Sequence, residues 1–235
     1  MMLRENLRPI LDRTAELPYV LDVGGMAAPL NTATHILDAL GFRAIGAPLD
    51  PTIPPRFSEA TCIQRDICKK PWPFRDDFFD YSFCSHTLED IRDPVGVCEE
   101  LMRVSREGYI EVPSRLRESF HQKKGYLWRR IIGRPLRIGW GHHRWFCERE
   151  EGGLVFTAKT ATSGHSREFF ITYEEIGRDL SPEEGNIGFF WKQRFPVREQ
   201  LLIEVGETEA DCIRFKLESL ALIRSKTGIV SEPRI

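Results

Sequence analysis

No apolar run in this chain approaches the ~18 residues that a membrane span needs. The first residues, Arg4, Glu5 and Arg8 among them, offer no apolar signal core, so a cytoplasmic protein is expected. Six cysteines, at 62, 68, 84, 98, 147 and 212, form no C-x-x-C pair. That argues against a zinc ribbon and against a disulfide framework, and Cys84 and Cys98 read as small core residues. The fingerprint G-x-G-x-x-G is missing, which weakens the case for a nicotinamide or flavin enzyme. No P-loop and no G-x-S-x-G occur either, so nothing points to nucleotide hydrolysis or to a serine nucleophile. There is no internal repeat, and a net charge of -2 excludes no class by itself.

What the chain does have is one informative stretch, residues 76–114. Phe78 to Cys84 is an apolar run of the length of a buried parallel strand, ending at the polar pair Ser85 and His86. Asp93-Pro94 then opens a helix whose apolar face is Val95, Val97, Cys98, Leu101, Met102 and Val104. Tyr109 to Val112 follows as a second short strand closed by Pro113. Strand, helix and strand make one crossover of a parallel α/β sheet, with ligands expected beyond the carboxyl ends of its strands.

Upstream, Leu3, Leu7, Ile10 and Leu11 predict an amphipathic helix, and Tyr19 to Val23 a strand running into Gly24-Gly25. Such a turn lets a ligand approach the backbone. Asn31 or Thr32 is read as the cap of a helix carrying Ile36, Leu37 and Leu40, with Gly41 past its end. Phe42 to Gly46 and Ala60 to Gln64 complete the predicted strands.

Phe79-Asp80, Ser85, His86, Leu88, Glu89 and Asp93-Pro94 together resemble the FD…S-H-x-L-E-H…D-P signature of class I S-adenosylmethionine-dependent methyltransferases, type 11-like. Asp90 stands where that family usually has a second His. The resemblance covers roughly the first 114 residues. It implies a Rossmann-like, doubly wound, mostly parallel α/β sheet, S-adenosylmethionine as cofactor, and methyl transfer to an O or N atom of a small-molecule or glycan-like acceptor. By resemblance, Asp22, Gly24 and Gly25 meet the methionyl end of the cofactor, with Met26 and Ala28 in place of two further glycines. Asp50 is the nearest acid to the ribose position, where Pro48 aligns. Asp66 and Ile67 would hold the adenine, and Ser85 and His86 would border the methyl group, His86 as base or acceptor-orienting group. Glu89 is read as an anchor for the turn into the next helix.

After Ser114 the character changes. Between Arg115 and Arg149 ten Lys or Arg face two Glu, which reads either as a basic lid for an anionic acceptor or as a solvated face paired with the protein's own acids. Docking on nucleic acid or a membrane surface through 115–149 is a third, less favoured reading. Leu116, Phe120, Leu127 and Ile131 suggest one helical face there. In Gly139-Trp140-Gly141-His142-His143-Arg144, His142 and His143 are candidate acceptor-pocket residues and proton takers. Adjacent histidines diverge on any regular element, so no metal site is expected. A hairpin turns at Glu151-Gly152-Gly153, a short helix begins near Thr172, and 189–195, 200–205 and 212–223 read as strands. The expected organisation is a cofactor-binding core (1–114), a basic insertion with hairpin (115–160), strands completing the domain (161–225) and a tail (226–235). The competing functional class is a catalytically degenerate domain kept as a binding or scaffolding module.

Overall fold

The computed structural model describes residues 3–121, 124, 125, 128, 131–133, 138–160, 167–202 and 204–227. Helix α1 (Arg4–Thr14) is followed by five strands of one sheet: β1 (Val20–Val23), β2 (His35–Asp38), β3 (Cys62–Gln64), β4 (Tyr81–Ser85) and β5 (Glu107–Pro113). Helix α2 (Pro94–Val104) joins the last two, with Asp93 accepting a hydrogen bond from the Gly96 N–H at 2.8 Å as its cap. Short strands β6 (Phe120–His121), β7 (Trp145–Glu150), β8 (Gly153–Ala158) and β9 (Ile171–Thr172) come next. They are followed by β10 (Asn186–Lys192), β11 (Val197–Gln200) and a C-terminal helix, Val205–Thr227. The main sheet runs β10-β5-β4-β1-β2-β3, parallel throughout except for β10. This is a Rossmann-like, mostly parallel α/β fold. Its strand order reverses between β1 and β4, the position where such sheets open a crevice.

Both faces of the sheet are covered, so its central strands carry apolar side chains on both sides. Leu21, Val23, Cys84, Ile110 and Val112 pack with α2 residues Val97, Cys98 and Leu101, and with Trp145, Phe156 and Trp191 from the second half. On the other face Val20, Tyr81, Phe83 and Tyr109 pack against Ile10 and Leu11 of α1 and against Leu30 and Ala33. Asp22, Ser85 and Glu111 alternate onto this second face, towards α1.

The connections differ from expectation. No helix forms over 31–40; Ile36 and Leu37 instead lie in β2, both fully buried. Their spacing fits a helix, but two adjacent buried side chains also suit a strand covered on both faces. The two proposed caps act as tertiary pins: the Asn31 amide donates to the Asp50 and Ile53 carbonyls at 2.7 and 2.5 Å, and Thr32 shares a hydrogen bond with Thr14. Phe42–Ala44 is one 3₁₀ turn rather than a strand. Of the crossovers in the parallel sheet only β4 to β5 is carried by an α-helix.

In the second half, β7 and β8 form the hairpin, with Glu151 and Gly152 at φ 47° and 78° in its turn. The strand expected at 212–223 is part of the C-terminal helix. Ile213, Phe215 and Leu217 alternate with Arg214, Lys216 and Glu218, which imitates a strand, but the buried residues Cys212, Leu220 and Ile223 follow a helical spacing. Likewise Leu116 and Phe120 do not share one helical face: Arg115–Glu118 is one turn and Phe120 starts β6. Lys123, Tyr126, Leu127, Arg129, Arg130, Arg134 and Arg137 lie outside the described residues. Among the described residues no helix is long and apolar enough to cross a membrane.

Arg115 shows where part of the basic segment goes. Only 3% exposed, it bonds Glu148 at 2.7 Å and pairs with buried Asp211 of the C-terminal helix. Removing one partner of a buried pair leaves an uncompensated charge. Arg115→Ala is expected to lower stability by about 3 kcal/mol in urea denaturation, since Arg214 still holds Asp211. A loss under about 1 kcal/mol, the surface-pair range, would contradict this packing role.

Candidate active site

The chain turns sharply at the tip of β4, and His86 takes up φ 51° there, a left-handed conformation rare outside glycine. Its backbone N–H donates to the Glu111 carbonyl of β5 at 2.8 Å. Its ring lies between two buried acids, with Nε2 3.1 Å from Glu111 Oε1 and Nδ1 3.3 Å from Glu89 Oε1. Burial opposes charge on the imidazole, but the hydrogen bonds to Glu111 and Glu89 outweigh it and lift its pKa to about 9. His86 is therefore an imidazolium at neutral pH with both N–H groups engaged. That corrects the expectation of a base: a ring already protonated has no lone pair to offer.

Glu111 does more than hold His86. Its carboxylate also accepts from the Leu3 N–H at 3.0 and 3.1 Å and from the Tyr109 hydroxyl at 2.5 Å, and Tyr109 in turn accepts from Asn6. The start of α1 is thus fastened over the tips of β4 and β5 through one fully buried carboxylate. Glu89, 1% exposed, has its second oxygen, Oε2, without a hydrogen-bond partner. Such a group is rare in a folded interior.

Two cavities meet at His86. The larger, about 560 Å³, lies at the β1/β4 reversal and is lined by Asp22, Gly24, Gly25, Ala27 and Ser85, with Arg4 and Leu7 of α1 overhead. Four residues named for the methyl-donor site, Asp22, Gly24, Gly25 and Ser85, therefore converge on one cavity. Gly24 has φ 76°, and a Cβ there would sit 2.2 Å from Thr87 Oγ1, so no other residue fits this turn. Met26 is fully buried and is not among the lining residues, so it does not block the cavity. Burial lifts the Asp22 carboxyl to about 7; the Leu30 N–H, 2.8 Å away, works against this, and nearby Asp38 adds to it.

The smaller cavity, about 250 Å³, is lined by His86, Glu89, Asp90, Arg117, His142 and His143. All three histidines singled out from the sequence come together here. The 139–144 loop is held to the β4 turn by the Arg144 N–H donating to the Glu89 carbonyl at 2.7 Å, and the Trp145 indole does the same to Ile91.

Asp50, Asp66 and Ile67 line neither of these two cavities. Asp50 lies in the loop after β2 and accepts from the Thr52 N–H and hydroxyl at 2.9 and 2.6 Å. It is a turn residue, not a member of either cavity's lining. The acid at the carboxyl tip of β2 is Asp38, which accepts from the Met26 and Leu40 N–H groups at 3.1 and 2.8 Å. Asp66 lies beyond the tip of β3, paired with Arg92 at 2.8 Å, which holds its carboxyl below the usual range. Ile67 is buried and its carbonyl accepts from the Trp72 indole at 2.7 Å. Neither residue lines the larger cavity. Glu111 and Asp38 were missed; an isolated Glu inside the apolar strand Tyr109-Ile-Glu-Val was the available signal, because a buried carboxylate requires partners.

Sheet order, the β1/β4 crevice and the glycine turn define a Rossmann-like α/β domain with a cavity at the strand-order reversal. Residues 44–110 match the model of the methyltransferase domain family. No curated protein matches this chain. Solved structures similar to it include an S-adenosylmethionine-dependent methyltransferase from Mesorhizobium loti (14% identity, 66% of this chain and 62% of that one, TM-score 0.35). A candidate S-adenosylmethionine-dependent methyltransferase from Listeria monocytogenes is also similar (14% identity, 68% and 74%, TM-score 0.39). So is the N-terminal domain of EvdMO1, solved with S-adenosylhomocysteine and D-fucose (15% identity, 52% and 55%, TM-score 0.33). This chain spans about half of that last domain, and likeness at these scores adds nothing to the argument from the site.

The Asp22 carboxyl makes a thermodynamic prediction. Its folded value of about 7 lies above its ordinary 3.8, so its contribution favours the fold below pH 3.8 and is lost as pH rises through 7. Relative to Asp22→Asn, wild-type stability should therefore fall between pH 4 and 7, by an amount on the order of 4 kcal/mol. Parallel pH profiles for the two proteins in urea titrations would show the carboxyl to be an ordinary exposed acid.

Proposed function

We propose that the protein is an S-adenosylmethionine-dependent methyltransferase acting on a hydroxyl or amine of a small polar acceptor. The observation that supports this best is the pair of cavities sharing His86, one bordered by the Asp22/Gly24/Gly25 turn and the other by Glu89 and the paired histidines. A volume near 560 Å³ falls in the roughly 300–1,000 Å³ of small-ligand sites, and the second cavity takes only a single reacting moiety.

The chain's residues suit the cofactor at its methionyl end. S-adenosylmethionine, when bound, supplies an electrophilic methyl group on a sulfonium. Asp22, ionising near neutral pH, offers that positive end a compensating charge. Gly24 and Gly25 let the ligand reach the backbone, and Asp38, at the carboxyl tip of β2 though outside the lining of both cavities, is the acid we assign to the ribose hydroxyls in place of Asp50. At the adenine end, the solvent-exposed Asp66–Arg92 pair has to open.

In the second cavity Glu89 Oε2 is the proton acceptor. An acceptor hydroxyl or amine held in this cavity would pass its proton to Glu89, while the cofactor, when bound, would supply the methyl group and retain the sulfur as leaving group. His86 positions Glu89 and keeps the two acids from repelling each other. Positioning and exclusion of water carry most of such a displacement. Arg117 and the His86 imidazolium balance the two acids Glu89 and Asp90 in the cavity lining, so a neutral polyol or amino compound suits it better than a polyanion. A second reading, a binding module without catalysis, draws on the engaged state of Asp66 and Ile67.

Calorimetry with S-adenosylhomocysteine separates the two. Micromolar binding by the wild type, lost in Gly24→Val, supports the cofactor site; no heat at millimolar ligand ends the enzyme reading. Glu89→Gln should leave that affinity within a few-fold and lower methyl transfer from labelled S-adenosylmethionine about 10²–10⁴-fold. An unchanged turnover number would remove Glu89 from the chemistry.

A further inference from the structure

His142, His143 and Asp90 line the smaller cavity, but the proton transfer proposed above runs through Glu89 and gives them no step. The expectation that neighbouring histidines point apart holds for helices and strands, but 139–144 is neither. The two imidazoles sit with centroids 4.5 Å apart at 81°, and both direct Nε2 at one oxygen. His142 Nε2 is 4.0 Å and His143 Nε2 3.9 Å from Asp90 Oδ1. One ligand atom from each of the three residues lies within 4.8 Å of the others. With metal bonds of roughly 2.1 Å, the edges of a tetrahedral site are roughly 3.4 Å. The two Asp90–histidine separations are therefore about half an ångström too long, and the set as a whole, within 4.8 Å, closes onto one ion by rotation of exposed side chains.

Two further observations point to a ligand here. His143 Nδ1 is 2.9 Å from Oε1 of Glu118, a fully buried carboxylate whose other oxygen accepts from Lys159 at 2.6 Å. A carboxylate behind a histidine fixes its tautomer and turns Nε2 outward as a ligand, the arrangement found behind metal-bound imidazoles. Within the same cavity Glu89, 1% exposed, keeps Oε2 without a partner. It stands next to Asp90 in the chain.

We infer that Asp90, His142 and His143 form a divalent transition-metal site of the zinc type at the mouth of the smaller cavity. Two imidazoles and one carboxylate suit a borderline ion such as Zn²⁺ rather than Ca²⁺ or Mg²⁺, which prefer oxygen ligands. Three protein ligands leave a position open to water or to an oxygen of a small molecule in the cavity, unlike the closed four-ligand structural sites. Asp90 itself stands where the family signature has a second His, so the ligand is contributed by a departure of this chain. The inference holds whether or not the protein transfers methyl groups, since it concerns binding of the ion alone.

The test uses the full chain, stripped with chelator and titrated with Zn²⁺ by calorimetry and with Co²⁺ by visible absorption. One equivalent should bind, with the intense d–d bands of a four- or five-coordinate N/O site and no thiolate charge-transfer band. His142→Ala removes an exposed side chain and should abolish stoichiometric binding, as should His143→Ala. Glu118→Gln should weaken it by about 10–100-fold. S-adenosylhomocysteine affinity and the circular-dichroism spectrum of His142→Ala report that the fold is intact, independently of the metal. The assignment is overturned by absence of stoichiometric binding. It is equally overturned by binding that survives both histidine substitutions or that shows a cobalt–thiolate band, which would place the ion on cysteines instead.

Discussion

One buried arrangement organises this molecule: an imidazolium held between two carboxylates at the tip of β4. His86 could not carry charge at this depth without Glu89 and Glu111, and neither acid could be buried so close to the other without His86. Each member also belongs to a different part of the structure. Glu111 is in β5 and receives the first turn of α1, Glu89 begins the turn towards α2, and His86 ends β4 in a left-handed conformation that the surrounding bonds impose. The triad therefore fixes where α1, two strands and the β4 turn meet, which is the wall between the two cavities.

Around that wall the site is built with little helix. The connections after β1, β2 and β3 are 3₁₀ turns and extended loops, held by side-chain pins where a helix would otherwise supply rigidity. Asn31 bridges to the 50–53 backbone, Arg56 reaches three carbonyls of 14–17, and Gly46 donates to Met26 at 2.7 Å with no room for a Cβ beside Ala27. Leu49 is thereby placed over the larger cavity. The second half contributes the opposite side: the 139–144 loop and β7 dock onto the Glu89–Ile91 carbonyls. The smaller cavity exists only because of that docking.

How much of this was legible in the sequence differs by element and for physical reasons. The β4–α2–β5 crossover was plain, because period and capping agreed at Asp93-Pro94. The 31–40 segment was misread because two successive apolar residues satisfy either a helix face or a doubly covered strand, and the caps chosen for it, Asn31 and Thr32, were serving distant partners. Moving β2 earlier by several residues is also what hid Asp38 and promoted Asp50. The C-terminal helix was misread because a charged and apolar alternation on a partly exposed helix imitates a strand. The histidines were found by composition, but their convergence with Asp90 depends on a loop path that no periodicity records. His86 was found and its charge was not, since its partner Glu111 lies 25 residues away.

His86, an imidazolium at neutral pH, is the wall shared by the Asp22/Gly24 cavity and the Glu89 cavity, which we propose take the cofactor and the acceptor. Nitrogen-15 NMR of labelled histidine tests this most directly, with the His86 signals assigned by His86→Gln. At pH 7.5 both ring nitrogens should show imidazolium shifts, and they should move when S-adenosylhomocysteine is added. Neutral-imidazole shifts at that pH, or signals that ignore saturating ligand, would contradict the account.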